Sequence, residues 1–132
     1  MIKVPVEQYL KDLAAFSWTY FHHLVVGAST NPTLVKADPS LLCSVKITPI
    51  NGLVGNVYVK FHNTSVAPVA GSTPVVKTVG VPAGGTGVPV FEEFSSPILF
   101  DKGLAYTVTK GILDDNASVC VASDCVVDLT YR

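Results

Sequence analysis

Beyond residue 16 the sequence is a succession of short strand-forming runs cut by turn formers, with no helical periodicity between them. Valine occurs 22 times and threonine 11 times in 132 residues, and β-branched side chains suit the pleated, half-buried surface of a sheet. The predicted strands cover residues 18–26, 33–36, 42–48, 55–62, 75–81, 88–94, the short run 98–100, 104–108 and 125–131. Pro89 is expected at a strand start or sheet edge, because it has no N–H to give to a ladder. Several runs alternate. Cys43, Val45 and Ile47 oppose Ser44, Lys46 and Thr48; Val57, Val59 and Phe61 face inward while Asn56, Tyr58 and Lys60 face outward. Leu104, Tyr106 and Val108 share one face, as do Val127, Leu129 and Tyr131. A parallel sheet would need helical crossovers, which are missing. The fold expected is therefore all-β: an antiparallel β-sandwich, jelly-roll-like, with roughly eight strands.

The head of the chain differs. Over residues 5–16, Val6, Leu10, Leu13 and Ala14 recur at helical spacing, with Gln8, Lys11 and Asp12 on the other side. Pro5 suits a first helical turn and Glu7 complements the helix dipole. The expected organisation is an N-terminal helical arm over residues 1–17 and a β-sandwich domain over 18–132. A helix of about 12 residues is marginal alone and must dock on something.

Composition then narrows the function. Charged residues are 14% of the chain and hydrophobic ones 48%, against an ordinary charged share of about 25%. The mean hydropathy is +0.44. Nine basic and ten acidic side chains give a net charge of −1, which speaks against a nucleic-acid partner. No run of 18 uncharged apolar residues exists, and early charges occupy the place of a signal peptide's apolar core, so neither a membrane partner nor secretion is expected. So little charge covers a small domain thinly, which implies that neighbouring subunits bury part of the surface. Cys43, Cys120 and Cys125 are an odd number without metal-site spacing and read as reduced, small apolar residues.

No catalytic, cofactor-binding or metal site is expected. His22 and His23 are adjacent in a strand and point to opposite faces, and His62 is remote. Asp114, Asp115 and Asn116, with Asp124, read as a solvated loop tip, with a weak calcium site as the alternative. Glu92 and Glu93 diverge in a strand, whereas a glycosidase pair must converge. The segment 84–87, Gly-Gly-Thr-Gly, lacks the lysine and following helix of a phosphate cradle and reads as a turn. No Gly-x-Ser-x-Gly elbow occurs, so the chain reads as a non-enzyme. Aromatic residues are the remaining lead. Tyr9, Phe16, Trp18, Tyr20 and Phe21 crowd residues 9–21. With Leu13 they are the candidate contacts to another subunit, the alternatives being local core packing or an exposed sugar platform.

The strand-and-turn pattern also resembles a family. Tyr58 to Asn63, Ala67-Pro68, Thr73-Pro74-Val75 and Pro82 to Gly85 are similar to the corresponding segments of small virion proteins of tailed bacteriophages. The likeness continues through residues 103–111, Asp114-Asp115-Asn116 and residues 122–131, with residues 27–31 and Val35-Lys36-Ala37 upstream, and spans about residues 24–131. Residues 1–17 lie outside it. The resemblance implies a jelly-roll or sandwich domain on the head exterior, assembled in the host cytoplasm, and it brings no catalytic residues. The expected role is a capsid decoration (cement) protein whose partners are the major capsid protein and sister subunits, as a homotrimer. The alternative is a fibre or tail-tip domain that binds host-surface glycans.

Overall fold

The computed structural model describes residues 18–24, 29–50, 56–82, 87–119 and 125–132. The helix expected over 5–16, and with it Tyr9, Leu13 and Phe16, lies outside the described residues. The strands are β1 (Thr19–Leu24), β2 (Thr33–Lys36), β3 (Ser40–Pro49), β4 (Val57–Asn63), β5 (Val75–Val81), β6 (Val90–Phe100), β7 (Leu104–Thr109) and β8 (Cys125–Tyr131). They form two four-stranded sheets, ordered β1-β8-β3-β6 and β2-β7-β4-β5. Every pairing is antiparallel.

The order has a simple logic. β4 pairs with β5, β3 with β6, β2 with β7 and β1 with β8. The chain is thus one long antiparallel hairpin, rolled so that alternate strand pairs fall into opposite sheets. That is the jelly-roll arrangement of a β-sandwich.

The core lies between the sheets. Val45, Ile47, Val57, Val59, Phe61, Leu104, Tyr106, Val108, Val127 and Leu129 are all buried there, together with Phe100 and Cys125. These are the inward phases of the alternating runs, so period-2 patterning specifies which face each strand buries. Phe61 and Tyr106 lie with ring centroids 6.1 Å apart, and Phe21 meets Tyr106 edge-on at the same separation. Burying one such side chain contributes about 1.5–3 kcal/mol.

The largest departure from simple alternation is in β3 and β6, beside smaller register shifts in the β2–β7 and β4–β5 pairings. The β3 register slips between Leu42 and Ser44 against both neighbours: Leu42 opposes Ile98 and Tyr131, whereas Ser44 opposes Glu93 and Thr130. This bulge lets Leu42 and Val45 both enter the core and leaves Cys43, the residue expected to point inward, only half-buried. On the β6 side the same bulge takes up Phe94 to Pro97. The segments expected as separate strands at 88–94 and 98–100 are therefore one bulged edge strand, and Pro97 sits where no ladder donor is needed.

The outer face of the second sheet is covered by its own loops. Lys60, His62, Thr107 and Thr109 point away from the core, yet all are buried. Lys60 faces outward as expected, but it is covered because the loops over residues 64–74 and 110–119 lie on that face. The two loops touch: a Cβ on Gly71 would meet the Asp115 carbonyl oxygen at 2.9 Å and the Ala117 Cβ at 3.5 Å.

Candidate functional site

The two outer faces of the sandwich have different chemistry. On the covered face, His62 Nδ1 is 3.1 Å from the carbonyl oxygens of both Thr73 and Pro74. Carbonyls only accept, so Nδ1 carries the proton. Nε2 then accepts from the Thr107 hydroxyl at 2.8 Å. Burial lowers the His62 pKa below its ordinary 6.5, opposed by the Pro74 and Thr73 carbonyls and more weakly by Asp114. Lys60 reaches up into the acidic loop, where its Nζ donates to the Leu113 carbonyl at 2.5 Å and to that of Asn116 at 3.2 Å. Burial lowers the Lys60 pKa, while Asp114 and Asp115 raise it. The acidic loop considered as a calcium site is thus organised by an internal ammonium. Two of its carbonyls point at Lys60, and among the described residues no cluster of His, Cys, Asp and Glu could hold a metal ion.

Outside this layer the loops turn apolar side chains to solvent. Val66, Val69, Ile112 and Leu113 are each 59% exposed or more. The chain orients Leu113 by its own hydrogen bonding: its carbonyl points in to Lys60 and its side chain points out.

Among the described residues, none covers the outer face of the first sheet. Alternation puts Tyr20 and His22 of β1, Asp128 and Thr130 of β8, Ser44 and Lys46 of β3, and Phe91 and Glu93 of β6 on that side. The register aligns them in two rows across the strands. One runs Tyr20, Thr130, Ser44, Glu93; the next runs His22, Asp128, Lys46, Phe91. A cross-strand bond holds the β1 end of one row and the middle of the other. His22 Nδ1 donates to Asp128 Oδ1 at 2.5 Å, and the Ser44 and Thr130 hydroxyls share a hydrogen bond of 2.5 Å. All residues of the two rows except Glu93 line an open trough of about 420 Å³. Tyr20 is 81% exposed and Phe91 59% exposed, one at each edge of the sheet.

Of the six candidate contact residues from the sequence, Tyr9, Leu13 and Phe16 lie outside the described residues. Trp18 is half-buried just before β1. Tyr20 projects from the sheet, whereas Phe21, one residue on, turns inward and packs on the core. His22 and His23 part in the same way. His23 points between the sheets and is hydrogen-bonded to the Tyr106 hydroxyl; burial and the nearby His22 lower its pKa. Glu92 and Glu93 also diverge. Glu92 forms an ion pair of 2.8 Å with Lys77 of β5, bridging the two sheets at their open side, while Glu93 stays on the outer face. Phe91 is the surface residue that sequence reasoning passed over. Its signal was its phase, since it alternates with Val90 and Glu92, which face in.

Comparison of the chain with protein-family models, with the curated proteins and with the solved structures found no match.

Proposed function

We propose that this chain is a structural component of a tailed-phage virion: a decoration protein that binds the head exterior through the major capsid protein and through sister subunits, as a homotrimer. The observation that carries the reading is the apolar loop layer, where Val66, Val69, Ile112 and Leu113 stand exposed on two packed loops. Each such side chain contributes about 1.5–3 kcal/mol when fully buried, and less when partly covered already. One patch therefore roughly offsets the cost of about 4–15 kcal/mol for fixing one molecule on another. Stable attachment then requires several patches acting together, which a trimer on a symmetric shell supplies. A jelly roll of eight strands suits that work, because its core is closed and its loops are free to carry contacts. The separated acids at Glu92 and Glu93 favour this non-catalytic reading over a hydrolase.

Co-sedimentation with empty heads tests it. The wild-type chain is expected to pellet with heads at saturable stoichiometry, and the Val69→Asp/Leu113→Asp double variant is expected to lose most of that occupancy. Equal occupancy by the variant, or none by the wild type, would overturn the assignment.

A further inference from the structure

We infer that the outer face of the β1-β8-β3-β6 sheet is a saccharide-binding trough, with Tyr20 and Phe91 as stacking platforms for a short oligosaccharide. This goes beyond the structural role above and uses the opposite face of the sandwich.

Three observations point to a sugar rather than to another protein. The first is the spacing of the rings. β1 and β6 are three strand spacings apart, about 14 Å, and the two rows are offset by about 7 Å along the strands. Tyr20 and Phe91 therefore stand at opposite ends of a diagonal, too far apart to sandwich one ring but suited to the two ends of a short chain of rings. The second is the floor between them. Ser44, Thr130, Asp128 and Lys46 offer donors and acceptors side by side, matching a ligand that carries a hydroxyl on nearly every carbon. A protein-protein patch is instead depleted in charge at its centre. The third is preorganisation. The part-buried hydroxyl pair and the more exposed His22–Asp128 pair are each hydrogen-bonded across neighbouring strands, so part of the side-chain ordering precedes binding. The volume of about 420 Å³ lies within the range of about 300–1,000 Å³ usual for small-ligand sites. Aromatic faces present their apolar C–H-binding surface to the sugar, while the polar floor orients it.

An array of neutral and uronate-containing tetra- and pentasaccharides, read with the labelled full-length chain, tests the inference. The wild type is expected to retain at least one structural class. Tyr20→Ala and Phe91→Ala are each expected to weaken that binding ten-fold or more, and Ser44→Ala/Thr130→Ala to weaken it further. Leu99→Ser, also an exposed apolar position on β6 but outside the trough, serves as the control and is expected to bind as the wild type does. Both aromatic positions are exposed, so their removal leaves the core intact, and circular dichroism melting checks this. No retention of any saccharide overturns the inference, as does binding that survives Tyr20→Ala/Phe91→Ala. Loss of self-association in these two variants would also overturn it, by making the face a contact between copies. Head binding through the loop layer is read separately, so failure of one proposal leaves the other standing.

Discussion

Replacing Lys60 with methionine isolates what the buried ammonium does. Lys60 has no exposed surface, and its stem passes through the second sheet's outer layer before Nζ meets the Leu113 and Asn116 carbonyls. Methionine keeps most of the stem's volume and removes the charge and both donors. Two effects oppose each other. Losing the ammonium relieves the cost of burying a charge, which reaches several kcal/mol for an ion without partners. Here that cost is already reduced by two carbonyl acceptors and by the acidic side chains of Asp114 and Asp115. Against it stand two charge-assisted hydrogen bonds, each contributing about 1.5–3 kcal/mol, and two carbonyls left aimed at an apolar sulfur. The second effect wins, because the variant strands acceptors that the fold has committed to this point. The expected loss is about 2 kcal/mol, which lowers Tm by about 8 °C for a chain of this length. Urea titration and thermal melting read the global change. Hydrogen exchange reads the local one, and amides of residues 110–119 should lose protection before those of β4 and β7 do. A Lys60→Met variant as stable as the wild type, with that loop equally protected, would refute the reasoning.

The remaining expectations concern pH and one glycine. The neutral forms of His62 and His23 are favoured by burial in the fold, whereas in the unfolded chain both titrate near 6.5. The unfolded state therefore binds more protons below that pH. Stability should be full above about pH 6.5 and fall as pH is lowered through the depressed folded values, and His62→Gln should flatten part of this slope in urea titrations. Stability unchanged between pH 7 and pH 5 would contradict it. Gly103→Ala should cost about 2–3 kcal/mol in the same assay, since the added Cβ would stand 2.7 Å from the Lys36 carbonyl oxygen and closer still to that of Thr64, both backbone atoms that cannot swing away. An unaltered Tm would show that the turn between β6 and β7 yields more easily than its bonds to Asn63 and Thr64 suggest.

Much of the fold was legible because one face of each strand is dry. β2, β5 and β8 begin and end where the sequence puts them, since turn formers or prolines bound them. The β3 bulge was not legible. Residues 42–48 read as a perfect alternation around Cys43, and a bulge changes the phase without changing composition. β6 read as two pieces because Pro97 looks like a stop; on an edge strand it is a tolerated irregularity. Burial of Lys60 and His62 was also beyond the sequence. Alternation tells which way a side chain points, and says nothing about a loop from elsewhere in the chain lying over it. The same limit hid the trough. Tyr20 drew notice as one of a cluster of aromatics, but its partnership with Phe91 exists only through the order β1-β8-β3-β6, which brings residues 20 and 91 onto one face.

The central claim is that a surface with so few charges is completed by neighbours, sister copies of the chain among them. Sedimentation velocity of the isolated chain over a hundred-fold concentration range tests this most directly. A trimer that dissociates on dilution is the expected result, with Val69→Asp/Leu113→Asp still trimeric because the loop layer is the face turned to the head. A monomer at every concentration would contradict the account.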